Sequence, residues 1–285
     1  MSSAKATARA ERGVLYLVST PIGNLGDMSH RAVEVLSSTA LIIAEDTRHS
    51  RRLLDHYHIT TPLSSYHEHN EAKETPRLVA RLAAGDSIAL ISDAGTPLVS
   101  DPGSRLVEAA IGAGVKVVPI PGPSAVMAAL VAAGMSLERF AYFGFLPRKG
   151  KERTETIADV VASQATSVLF EAANRVGATL EALAEAGAGD RAAVVARELT
   201  KQFEEFKRGS VAELADVYKE TDPKGEVVLV IAGAEKSVVT ESALNDTAER
   251  LRAAGKAPRD VMDHLISALG APRNLAYKIA HESES

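Results

Sequence analysis

Five short clusters in this sequence hold the residue types that chemistry uses. They read TPIGN (residues 20–24), EDTR (45–48), YHEHN (66–70), SDAGTP (92–97) and PGPS (121–124). Between them they set acids, histidines, an arginine and hydroxyls among glycines and prolines. Glycine lets a backbone approach a ligand closely, and proline fixes the local direction. The fourth cluster belongs to LISDAGTPLVSDPG, residues 90–103. A connector in an α/β unit needs only about 2–6 residues, so this stretch is more than a connector. The residue types point to a small-molecule site built from loops.

The elements that must position these clusters are legible around them. Each cluster follows a compact apolar run, at residues 13–19, 39–44, 61–65, 87–91 and 115–120. Helical patterns fill the intervals, and Gly85 is a typical helix stop. Asp101-Pro102 reads as a helix start, with a capping acid and a proline in the first turn. Such alternation predicts a parallel sheet covered on both faces. Parallel strands all end at one edge, where ligands bind. The five clusters are therefore expected along one rim.

From about residue 137 the pattern changes. FAYFGF (140–145) alternates with aromatics, and PRKGKER (147–153) interrupts it, as at a crossover into a second domain. The clearest further strands are 167–170, 192–196 and 226–232, with helices at 175–186 and 210–218. That gives four or five strands of mixed direction. Three short helices follow, at 241–254, 258–269 and 272–281. Their LGAP connection (269–272) fits either a helix-turn-helix unit or an ordinary helical cap. The expected organisation is a disordered tail (1–12), an N-terminal α/β domain (13–122), a second α/β domain (123–236) and a C-terminal helical domain (237–285).

The chain has 285 residues and is 46% hydrophobic, enough for more than one core. Without cysteine it has no disulfide, thiolate zinc site or cysteine nucleophile. A formal net charge of −5 gives no global field for nucleic acid. Any RNA contact must come from local patches: Arg148, Lys149, Lys151 and Arg153, or Arg250, Arg252, Lys256, Arg259, Arg273 and Lys278. Low aromatic content and the lack of tryptophan argue against a base-stacking surface of the kind single-strand binders use. No apolar run reaches the roughly 18 residues of a membrane span, and the first dozen residues do not form a secretory signal. The nicotinamide fingerprint, the P-loop, HExxH and GxSxG are all missing. His56-x-His58 and His67-x-His69 lack a third ligand, so no metal is expected. The second pair sits on the expected rim.

Read in order, YLVSTPIGNLGDMS, AEDTRHSRRLL, SDAGTPLVSDPG, PIPGPSA, FEAANRV and ARELTKQFEE resemble the ribosomal RNA small subunit methyltransferase I family, within the tetrapyrrole methylase superfamily. The resemblance spans roughly residues 14–233. It implies a tetrapyrrole methylase-like α/β fold: two α/β domains, the cofactor cleft between them, and a small C-terminal helical domain. It implies S-adenosyl-L-methionine as cofactor and a cytoplasmic homodimer. The implied reaction is 2′-O-methylation of a cytidine ribose near the decoding centre of 16S ribosomal RNA, free or in the assembled 30S subunit. By motif matching, the cofactor contacts are Pro21, Asp93, Gly95, Thr96, Val99, Ser124, Ala125, Phe170, Glu171, Ala196 and Ala232, largely through main chain. Related sequences often carry tyrosine at Phe170 and cysteine at Ala196, and tetrapyrrole methylases proper carry an acid at Thr96.

For that reaction the rim offers Asp46, His67 and Glu68 as bases and Arg48 as a phosphate clamp. Glu45 and Asp46 also read as helix caps. Lys201 would lower the hydroxyl's pKa by its charge or bind phosphate. The alternatives are a tetrapyrrole (precorrin-type) methyltransferase and a ribosome-assembly factor that transfers no methyl group.

Overall fold

The computed structural model describes residues 11, 13–235 and 241–281; the expected tail, save Glu11, lies outside them. Strands β1 (Val14–Val18), β2 (Leu41–Ala44), β3 (Leu63–Ser65), β4 (Ile88–Ile91) and β5 (Lys116–Ile120) form one sheet. Its order is β3-β2-β4-β1-β5 and every pairing is parallel. Helices α1 (His30–Ser38) and α2 (Thr47–His56) cover one face, α3 (Glu71–Ala83) and α4 (Ser104–Gly112) the other. Strand alternation explains this. Val14, Tyr16 and Val18 pack with Val35, Leu36 and Leu54, whereas Leu15 packs with Leu82 and Leu106. The central strands β2 and β4 are buried throughout, as coverage on both faces requires.

One helix start differs from its sequence pattern. The N-cap of α4 is Gly103, at φ 135°, and not Asp101. Leu98 and Ser100 take left-handed φ values of 71° and 63°. They wind the chain through an extra turn before the helix begins, which leaves Asp101 in the loop. Gly103 is required there: a Cβ would lie 2.6 Å from Leu90 Cδ2.

The second sheet holds β6 (Phe140–Phe145), β7 (Thr166–Ala172), β8 (Ala192–Arg197), β9 (Glu205–Ser210) and β10 (Glu226–Ile231), in the order β6-β7-β10-β8-β9. β6 and β7 are parallel; the other pairings are antiparallel. α5 (Ala125–Ala133) packs on one face through Val126, Ala129 and Leu130, against Val194, Val228 and Val230. α6 (Lys151–Ala162), α7 (Val176–Leu183) and α8 (Val211–Val217) cover the other. β9 reads EFKRGS and carries no strand signature because it is an edge, where charge is tolerated. The basic run at residues 147–153 opens α6.

The described residues from 235 onward form a compact unit of their own. α9 (Glu241–Ala253), α10 (Pro258–Ser267) and α11 (Arg273–His281) bury Leu244, Ala248, Val261, Leu265, Ala276 and Ile279. Among the described residues no helix is long and apolar enough to cross a membrane.

Candidate active site

The loops after β1, β4 and β5 are stitched together at the carboxyl edge of the first sheet. Thr20 and Gly95 exchange backbone hydrogen bonds of 2.9 and 3.0 Å. The Ser92 hydroxyl donates to the Gly95 carbonyl, and the Thr20 hydroxyl donates to the Ser92 carbonyl. Thr96 Oγ1 lies 3.1 Å from the Ser19 hydroxyl and donates to Pro123 O. Sequence-distant turns thereby become one rigid rim.

A cavity of about 340 Å³ lies between this rim and the second sheet. That is within the range of small-molecule sites. The rim contributes Ile22, Asp93, Ala94, Val99, Ser100, Asp101 and Ala125. Strand register supplies much of the opposite wall. Phe145, Phe170, Val228 and Ala196 stand in one row across β6, β7, β10 and β8, and the first three line the cavity. Phe170 meets Tyr142 and Phe145 edge-on, with ring centroids 5.2 and 5.4 Å apart. The loop after β8 adds Leu199, and the start of β10 adds residues 225–227.

Each sheet uses the same strained device to reach the cavity. Val99 projects from between Leu98 and Ser100, and Leu199 from between Glu198 (φ 51°) and Thr200 (φ 66°). Left-handed non-glycine residues cost about 1–3 kcal/mol each and gather at functional sites.

The cavity walls are strongly acidic. Burial, then the neighbouring Glu45 and Asp93, push the Asp101 carboxyl up to about 6. Asp101 has no hydrogen bond or ion pair among the described residues. Asp93 Oδ1 instead accepts from the Asp46 N–H at 3.2 Å. Glu171, fully buried, accepts from Thr179 Oγ1 at 2.6 Å and from the Ala172 N–H at 2.8 Å, and pairs with Arg175 at 3.3 Å. An aromatic and aliphatic wall facing carboxylates suits a flat ring system that carries positive charge. These residues fit S-adenosylmethionine, a purine nucleoside bearing a sulfonium.

A family model of tetrapyrrole (corrin/porphyrin) methylases matches residues 14–215. Ribosomal RNA small subunit methyltransferase I of Synechocystis sp. is 45% identical over 96% of this chain and 99% of its own. The protein of the same name from Mesorhizobium japonicum is 50% identical over 80% and 78%. The chain belongs to the ribosomal RNA small subunit methyltransferase I family. Among solved structures, a Thermus thermophilus uroporphyrin-III C-methyltransferase complexed with S-adenyl homocysteine shares the fold. Its TM-score is 0.54 at 15% identity, over 77% of this chain and 96% of that one.

Within this family fold the residues expected from the sequence separate into groups. Asp93, Val99, Ala125, Phe170 and Glu171 line the cavity. Pro21 is buried beside it, Gly95 and Thr96 hold the rim together, Ser124 caps α5, and Ala196 is buried next to Val228, its partner on the neighbouring strand. Ala232 does not line the cavity: it stands just past the far end of β10, four residues beyond Val228, or roughly 13 Å along a strand. β10 runs antiparallel to β7 and β8, so its beginning meets the cleft and its end does not.

The expected catalytic residues lie at the margin of the cavity. Asp46 caps α2, accepting from the backbone N–H groups of Arg48 and His49, and these bonds lower its pKa. It and Arg48, His67 and Glu68 lie on the rim outside the cavity lining. Arg48 is 91% exposed, and His67 keeps a buried Nδ1 without a partner. Lys201 pairs with Glu198 at 2.8 Å and Glu226 at 3.1 Å. Burial opposes its charge, but hydrogen bonds to those carboxylates outweigh burial and raise its pKa. These two carboxylates hold it as an ammonium. Its stem crosses Gly23, where a Cβ would sit 2.4 Å from Lys201 Cγ.

The chief residues missed were Asp101 and residues 225–228. The signal for Asp101 was present in SDPG, but the cap pattern masked it. Gly225 sits at φ 89°, and a Cβ there would lie 2.1 Å from Glu198 Oε1, which accepts from the Glu226 N–H. Gly225→Ala is expected to destabilise the fold by about 1–3 kcal/mol and to weaken methyl-donor binding about tenfold. Thermal unfolding and titration calorimetry measure the two effects.

Proposed function

We propose that this protein transfers a methyl group from S-adenosylmethionine to the 2′-oxygen of a cytidine ribose in small-subunit ribosomal RNA, near the decoding centre. The carrying observation is the unpartnered carboxylate of Asp101, half-buried in a cleft whose opposite wall is aromatic. Family membership supports ribosomal RNA as the substrate class; the ribose oxygen and the cytidine come from the motif resemblance.

When bound, the cofactor supplies an electrophilic methyl group. Asp93 and Asp101 would face its positive sulfur, with Phe170, Val227 and Val228 against its apolar parts. The chain's remaining task is to hold the ribose hydroxyl in line and take its proton. A ribose hydroxyl is a poor nucleophile until its proton leaves. Asp101 replaces Asp46, His67 and Glu68 as the base in this reading, because it alone of the four lines the cavity. Arg48, exposed on the same rim, is suited to a phosphate of the target strand. In the basic segment that opens α6, Arg153 is spent on Pro147 O and Thr179 Oγ1, which leaves the exposed Arg148 and Lys149 for RNA.

The homodimer belongs to the same reading. A groove of about 520 Å³ runs along the edge strands β5 and β6 and along α5, lined by Pro97, Pro119, Met127, Phe140 and Tyr142. Met127 and Phe140 are nearly half exposed, as a face for a second copy would be. The reading places the protein beside the ribosome in the cytoplasm.

The test is to incubate small subunits and naked ribosomal RNA with labelled cofactor and map 2′-O-methyl groups. One modified cytidine is expected. Label on a base atom, or on a tetrapyrrole offered in parallel, would reject the reading. Methylation should also fall steeply between low and moderate salt, as released counterions return to the RNA; a flat response would count against phosphate contacts.

A further inference from the structure

Of the six lysines and arginines between residues 250 and 278, the structure removes several from consideration. Arg252 turns inward to the Ile279 carbonyl. Arg250 bonds along its own helix to Asp246 O and Thr247 Oγ1. Lys278 pairs with Glu241 at 3.7 Å. Arg259 and Arg273 are both exposed, make no hydrogen bond or ion pair among the described residues, and converge on one cleft of about 740 Å³ between α10 and α11.

Helical spacing builds that cleft. Arg273, Tyr277 and His281 follow each other at four-residue intervals, so they form one stripe on α11. Arg259, Met262 and Asp263 form the facing stripe on α10. The unit's core uses the other faces, through Val261, Leu265, Ala276 and Ile279. Tyr277 contributes little to that core, being 58% exposed. Its ring is stacked on His281, with centroids 4.2 Å apart and 27° between planes.

We propose that this cleft holds one unstacked nucleotide of single-stranded RNA, its base on Tyr277 and its flanking phosphates on Arg259 and Arg273. The proposal deepens the RNA reading above and rests on it. An aromatic stack beside two unpaired guanidiniums is the pairing that single-strand recognition uses. Asp263 on the same wall would repel a bare phosphate, so the ligand must present a base there and keep its phosphates toward the arginines. Low aromatic content argues against the stacking surface of a general single-strand binder; one ring at one cleft is enough for one base.

The test uses the full chain and a short unstructured RNA oligonucleotide followed by fluorescence anisotropy. Tyr277→Ala should weaken binding at least fivefold, and Tyr277→Phe should restore it. Arg259→Ala and Arg273→Ala should each reduce the slope of log affinity against log salt by about one. Cofactor affinity and the unfolding temperature should stay at wild-type values. Wild-type oligonucleotide binding by Tyr277→Ala would overturn the proposal. So would loss of binding to the assembled subunit alone, which would assign the cleft to a ribosomal protein. If wild-type protein methylates ribosomal RNA while Tyr277 proves irrelevant, only the cleft fails. If Tyr277 governs oligonucleotide binding but no ribosomal RNA is ever methylated, only the catalytic reading fails.

Discussion

Asp101→Asn should cut the single-turnover methylation rate by about 10²–10⁴-fold, the usual contribution of a positioned base, while cofactor binding persists. The carboxylate is the reactive form, so wild-type kcat/KM should rise as pH passes upward through about 6, and the variant should lack that limb. Stability should move the opposite way. Burial, Glu45 and Asp93 all favour the protonated acid in the folded state. A carboxyl raised from 3.8 to about 6 contributes stability that is intact below the unfolded pKa and lost as pH rises through 6. Above that pH the ionised side chain costs on the order of 2 kcal/mol after allowance for its partial exposure. The asparagine variant should therefore unfold several degrees higher than wild type at pH 8, and at the same temperature near pH 4. Equal activity in the two proteins, or a melting difference independent of pH, would remove Asp101 from its proposed role.

Glu171→Ala should be the most damaging single change to the fold around the site. The carboxylate is fully buried and joined to Arg175, Thr179 and the Ala172 N–H. Arg175 in turn donates to the carbonyls of Leu146 and Pro147, which ties the end of β6 to the start of α7. Removing the acid strands a mostly buried guanidinium. Breaking such a pair costs about 3–5 kcal/mol, and the 23% exposure of the Arg175 side chain sets the loss near the lower limit. In a protein of this size that lowers the melting temperature by roughly 6–12 °C. Phe170 and Ala172 flank the acid and line the cavity, so methyl-donor affinity should fall in the same variant. Glu171→Gln keeps the side-chain volume and one of the two acceptor oxygens, and should lose less of both. A melting temperature within a degree of wild type in Glu171→Ala would show that the pair does not organise this wall.

Local pattern was sufficient for much of this molecule. Apolar runs followed by glycine- and proline-rich turns marked all five parallel strands, and their common direction put the turns on one rim. The Asp46 cap was readable because capping is settled within three residues. The same locality misled at Asp101, where an acid-proline pair has the form of a cap and only the left-handed turns at Leu98 and Ser100 show otherwise. β9 escaped because an edge strand needs no apolar face.

The sequence by itself determined the family, the parallel sheet, the loop-built rim and the helical C-terminal unit, since each rests on neighbours along the chain. Only the tertiary structure decided which groups meet. Strand direction brought residues 225–228 to the cleft and sent Ala232 away. Ion pairing committed Lys201 to Glu198 and Glu226, and burial beside two carboxylates set Asp101 apart from the other acids. Those outcomes depend on through-space distance and desolvation between residues far apart in sequence, and spacing along a chain records neither.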